Sequence, residues 1–129
     1  MRTQKLIIRF GICLSTIVLL AFLVPTQAFA QDPTEVDTKH YKIEFENDYV
    51  RVLRITYGPN ENSVMHEHPN AVVIMLTDAN TEMTLPDGNK VMDLAKIGEA
   101  QWTPAGKHIP KNVGDEKMEA VLVEIKSKP

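Results

Sequence analysis

From Tyr41 onward the apolar positions recur mostly with a period of two. In Tyr41-Lys42-Ile43-Glu44-Phe45 apolar and charged residues alternate strictly, which predicts a half-buried strand. Residues 50–57 alternate as well, but the apolar phase slips between Val52 and Leu53, the pattern a β-bulge leaves. Gly58-Pro59-Asn60-Glu61-Asn62 is a turn cluster, followed by residues 63–68 and by a valine-rich run over 71–76 suited to a buried strand. Residues 81–85 and 90–94 flank Pro86-Asp87-Gly88-Asn89, a hairpin signal in which glycine supplies positive φ. A short strand over 101–103 follows Gly98 and leads into the tight turn Pro104-Ala105-Gly106. The last strand, 118–125, sets Val121, Val123 and Ile125 on one face, with Glu119 in the same parity. No segment after Tyr41 holds a helical period over three turns. Many short strands broken by turns predict an all-β barrel or sandwich.

The first 30 residues follow another rule. Arg2, Lys5 and Arg9 precede an almost wholly apolar run over 10–24, Pro25 breaks it, and Ala28-Phe29-Ala30 offers a small-x-small cleavage site. That order predicts a secretory signal peptide over 1–30. A retained anchor is disfavoured, because a spanning helix needs about 20 apolar residues. Cys13, the only cysteine, lies inside the run behind Phe10-Gly11-Ile12 rather than a lipobox, so it leaves with the peptide. Residues 31–40 are polar with little to bury and read as a flexible leader, which leaves 41–129 as one domain. The product is expected in the periplasm or secreted, with no stable membrane insertion after cleavage.

Cleavage changes the charge and the chemistry. Three basic residues and no acidic one are removed, which takes the formal net charge from −3 to −6. With no thiol left, disulfides, thiolate catalysis and zinc–thiolate sites are excluded. An acidic chain without a Lys/Arg cluster is a poor partner for nucleic acid or anionic membranes. So small a domain leaves much of its surface uncovered, and a homodimer is expected to cover part of it.

His66 and His68 are two apart, so an extended segment points both to one face and Glu67 to the other. Imidazole pairs suit zinc, iron, copper and nickel, although two histidines on an exposed loop share the pattern. Gly58 with His66 and His68, and Gly98 with Pro104, Gly106, His108 and Asn112, resemble the two motifs of the cupin superfamily, G-x5-H-x-H-x(3,4)-E-x6-G and G-x5-P-x-G-x2-H-x3-N. Seven residues rather than five separate Gly58 from His66, and one residue is missing between Gly106 and His108. The motif glutamate falls on Val72 or Val73, and Asn80 stands at the closing glycine. The resemblance covers about residues 41–126.

It implies a cupin-type double-stranded β-helix, or jelly-roll barrel. It also implies that His66, His68 and His108 bind one divalent transition metal (zinc, iron(II), nickel or manganese), three imidazoles being a competent set without the carboxylate. Cupins include dioxygenases, isomerases, lyases and non-catalytic binders, so fold alone does not give the reaction. Two functions are carried forward: a metal-dependent enzyme acting on a small polar or carboxylated metabolite, and a metal-free module that binds a small molecule. No catalytic base is assigned, with Glu82 and Glu99 as candidates if either faces the pocket. Trp102 reads as packing near the barrel mouth, and Met65, Met75, Met83 and Met92 as interior gap-fillers. The exported form is expected to begin at Gln31; intact mass spectrometry showing residues 1–30 still attached would contradict this.

Overall fold

The computed structural model describes residues 31–127, and the expected signal peptide lies outside them. A one-turn helix, α1 (Pro33–Val36), precedes nine strands: β1 (Tyr41–Glu46), β2 (Val50–Tyr57), β3 (His66–His68), β4 (Ala71–Met75), β5 (Ala79–Thr84), β6 (Lys90–Ala95), β7 (Ala100–Thr103), β8 (Gly106–Asn112) and β9 (Met118–Ile125). They form two antiparallel sheets, ordered β1-β2-β9-β4-β7 and β3-β8-β5-β6. No helix of the described residues is long and apolar enough to cross a membrane.

Turn chemistry behaves as the sequence implies. Pro59 and left-handed Asn60 (φ 61°) form the corner between Gly58 and Glu61, closed by the Glu61 N–H donating to the Gly58 carbonyl. Gly88 (φ 84°) turns the β5–β6 hairpin, where the Asn89 N–H donates to the Asp87 side chain at 2.9 Å.

The core lies between the sheets. Leu53, Ile55 and Tyr57 from β2 meet Ala71 and Met75 from β4 and Met118, Ala120 and Leu122 from β9. On β9 the buried face is therefore the one that also carries Glu124, while Val121 and Val123 line the outside. On β4 the interior takes Ala71, Val73 and Met75 and leaves Val72 and Ile74 outward.

Three expectations need correction. The phase slip in β2 is not a bulge in that strand: its pairing to β9 is unbroken from Val50 to Tyr57. Arg51 instead holds the inward parity of Leu53, Ile55 and Tyr57, because it is ion-paired there with Asp32 and Glu124. The register shift sits across from it in β1, between Ile43 and Phe45, so β1 buries only Tyr41 and leaves Ile43 and Phe45 exposed on an edge strand.

Residues 31–40 are not a loose leader but pack onto the barrel. Asp32 caps α1 through the Thr34 N–H, and Pro33, Asp37 and His40 are buried. His40 stacks on Tyr57 at 4.2 Å with an interplanar angle of 11°, and its Nδ1 meets Asp37 at 2.7 Å. The segment looked polar because what it buries is polar and paired. Trp102, expected in the packing at the mouth, points outward from β7 instead.

Leu53 is fully enclosed among core side chains. Leu53→Ala should lower unfolding free energy by about 2–5 kcal/mol in a urea titration, as buried leucine truncations do.

Candidate metal centre

His66 and His68 occupy the ends of β3, and β3 pairs with β8 so that His66 lies opposite His108 and Glu67 opposite Lys107. Directly opposed residues of an antiparallel pair share a face, so all three imidazoles point inward together. The residue missing before His108 thus shortens the turn and leaves the parity of β8 intact. That turn is held by Asn70, whose side chain accepts the Ala105 N–H at 2.8 Å. Glu67 faces away, 3.8 Å from Lys107.

Ring centroids stand 4.9 Å apart for His66 and His68, 5.0 Å for His66 and His108, and 5.5 Å for His68 and His108. One nitrogen from each ring lies within 4.8 Å of the other two, and no other such group of His, Cys, Asp or Glu occurs among the described residues. Bonds of about 2.0–2.2 Å require the donors to draw closer by roughly an ångström, a side-chain adjustment.

Two of the rings have their tautomer set. The His66 Nδ1 faces the Val64 carbonyl at 2.8 Å, and a carbonyl only accepts, so Nδ1 carries the proton and Nε2 offers its lone pair. The His68 Nδ1 donates to Glu124 Oε1 at 2.6 Å, which likewise frees Nε2. Carboxylate or carbonyl behind the imidazole is the arrangement that orients metal-binding histidines. Glu124 is buried; burial alone would raise its pKa, but hydrogen bonds from His68 and from Arg51 Nε (2.6 Å) outweigh that and hold it below the usual range. Arg51 is secured from its other side by Asp32 at 2.5 Å. The donor set and its outer hydrogen bonds therefore fit one transition-metal ion.

Tyr41 completes the cluster. Its hydroxyl lies 3.1 Å from His66 Nε2 and accepts the Tyr57 hydroxyl at 3.0 Å. Burial keeps both phenols protonated well above their ordinary range. Beside the imidazoles opens a cavity of about 370 Å³, lined largely by apolar side chains such as Ile55, Val73, Met75, Met83 and Leu122.

This lining settles several sequence-level questions. Val73, not Val72, faces the interior where the motif glutamate is expected, so no carboxylate stands there. Met75, Met83 and Met92 line the cavity as expected, joined by Met118, and Met65 does not. Glu82 pairs with Lys90 and Glu99 turns back to the Lys96 N–H, so neither reaches the cavity; the acid that lines it is Asp93. Glu124, Arg51 and Tyr41 escaped the sequence reading. Glu124 could have been found as the one acid in the Met118-Ala120-Leu122 parity, and Arg51 from the phase slip; Tyr41 carried no signal beyond its place in a strand.

Comparison with known proteins agrees with this geometry. The fold matches a cupin domain from Bordetella pertussis at 25% identity and a TM-score of 0.63, over 67% of this chain and 92% of that one. It also matches a cupin family protein with a double-stranded β-helix fold from Methanocaldococcus jannaschii (18% identity, TM-score 0.52, 69% and 83%). A third match is a polyketide cyclase from Streptomyces resistomycificus (17%, TM-score 0.53, 69% and 66%). No protein-family model and no curated protein matches the sequence itself. The chain belongs to the cupin superfamily.

Burial, and then the neighbouring imidazoles, depress His66 to about 4 and His108 to about 3 from an ordinary 6.5. The unfolded chain therefore binds protons below about pH 6.5 that the metal-free fold does not, and stability declines as pH falls through that value toward 4. Melting temperatures of the metal-free protein should drop between pH 7 and pH 5, and less so for His108→Gln; a flat profile would contradict the buried, neutral histidines.

Proposed function

We propose that the protein is an exported cupin that holds one divalent transition metal on His66, His68 and His108 and takes its ligand into the adjoining cavity. The observation that carries this reading is the convergence of three inward imidazoles, two of them with Nδ1 already committed. A buried negative charge behind His68 favours a cation on its far nitrogen. Once bound, such a metal acts as a Lewis acid toward an oxygen of the ligand.

The protein's own residues define what can enter. Their apolar character revises the expected small polar metabolite to a molecule with an apolar body and one oxygen-bearing head, a carboxylate among the options. Tyr41, braced by Tyr57, is the hydrogen-bond donor nearest the imidazoles and would orient that head. Thr81, Asp93 and Thr103 are further polar residues that line the cavity. For proton transfer Asp93 is the candidate, with dioxygenase, isomerase and lyase chemistry as the reaction types of the fold. The second reading, a metal-free binding module, is favoured by Val73 in the carboxylate's place.

Metal analysis of protein purified without a histidine tag separates the two. About one metal per chain is expected, lost in His66→Ala, His68→Ala and His108→Ala and unaffected in Glu67→Ala. Glu124→Gln should keep the fold and weaken metal affinity about 10–100-fold, the usual cost of losing a partner behind a histidine ligand. A folded, metal-free wild type that gains no metal on titration would establish the binding module instead.

A further inference from the structure

The strand that carries His66 and His68, β3, is three residues long and ends the smaller sheet, so β8 pairs with it on one edge only. The other edge is taken by the residues that lead into the barrel. The Glu67 N–H, midway between the two histidines, donates to the Gln31 carbonyl at 3.0 Å. α1 follows at once with an aspartate at each end, Asp32 as its N-cap and Asp37 as its C-cap. Each aspartate leads to a different imidazole. Asp32 accepts from Arg51 Nη1, Arg51 Nε donates to Glu124, and Glu124 accepts from His68 Nδ1. From the other end of α1, Asp37 accepts the Ser63 hydroxyl. The Ser63 oxygen lies 3.2 Å from His66 Nδ1 and shares that N–H with the Val64 carbonyl. Asp37 and Ser63 are both buried.

We propose that residues 31–37 are a clamp on β3, in which Asp32 and Asp37 are positioning residues for the metal centre. The proposal rests on the reading of His66, His68 and His108 as metal ligands. One turn of helix does three things here. It closes the open edge of the strand between the two histidines, and it ends two hydrogen-bond chains in carboxylates, one behind each ring. Negative charge at the far end of such a chain keeps the proton on Nδ1 and makes Nε2 the better donor to a cation. Packing alone would be served by apolar side chains, yet the residues that this segment and the turn after it bury include Asp37 and His40. Burying such groups is costly unless they are paired, and here the pairing is directed at the site. His108 stands outside both chains and is placed by β8.

Two substitutions separate positioning from packing. Asp32→Asn keeps an N-cap for α1, since asparagine caps as well as aspartate, and removes the charge that holds Arg51. Ser63→Ala cuts the chain to His66 and leaves Asp37 paired with His40. Zinc affinity is read by chelator competition, and ligand geometry by the visible absorption of the cobalt(II)-loaded protein. Each variant should raise the zinc Kd about tenfold and shift the cobalt bands, as the loss of a partner behind a histidine ligand does. The chains serve different rings, so the double variant should raise it about 100-fold. Glu44→Gln, which breaks an ion pair with Arg54 on β1, should leave both readouts unchanged. Amide exchange of the metal-free protein needs no metal: in Asp32→Asn the Glu67 amide should exchange about tenfold faster while those of β5 keep their rates. A zinc Kd within about twofold of wild type in either variant, or an unchanged Glu67 exchange rate, overturns the clamp. A wild-type protein that takes up no zinc overturns the metal reading instead, and the Glu67 exchange rate alone then decides for or against the clamp.

Discussion

A carboxylate removed from water must be matched on both oxygens, and Glu124 meets that demand with Arg51 on one and His68 on the other. Much of the molecule is arranged around this requirement. Arg51 can point inward from β2 only because Asp32 and Glu124 neutralise it there. Asp32 is in reach only because α1 and the residues after it are packed against the barrel. The same carboxylate fixes the His68 ring, and with it the direction of one lone pair at the centre of the site. An isolated buried charge at Glu124 would be costly, and the Arg51 ion pair and the His68 hydrogen bond together offset that cost.

The parity of β9 follows from the same constraint. A strand has two faces, and whichever carries Glu124 must look into the barrel to reach Arg51 and His68. Met118, Ala120 and Leu122 go with it, and the β-branched residues that would ordinarily be read as core are left outside. Hydrophobicity alone would have oriented this strand the other way. A polar requirement of the interior thus determines where the apolar surface of the exterior appears.

Strand positions were legible because period-two alternation survives wherever one face is wet, as in β2, β5 and β6. The histidine cluster was legible because strand parity couples His66 to His68 and because a short turn leaves His108 in register. What escaped was polar burial. Arg51 looked like a slip in phase, Glu124 like an ordinary surface acid, and Asp37 and His40 like part of a solvated leader, since composition cannot show that charged groups will find each other across 73 residues of chain. Outward-facing Trp102 was misread for the opposite reason, as an aromatic residue carries no label for the side of the sheet it occupies. β8 gave little periodic signal because its inward positions are His108, Pro110 and Asn112 rather than aliphatic residues.

The strand order has a consequence for the life of the chain during synthesis. Among the described residues β9 is made after the other eight strands, yet it lies in the middle of the larger sheet, between β2 and β4. Until it emerges, β2 and β4 have no common neighbour, the row of Leu53, Ile55 and Tyr57 lacks its lid, and Arg51 and His68 lack the group that joins them. Long-range pairing of this sort is slow to form and cannot begin early. A nascent chain of this protein is therefore kept from closing its barrel until β9 has been added. That is the condition in which a polypeptide can still be threaded, extended, through a narrow channel.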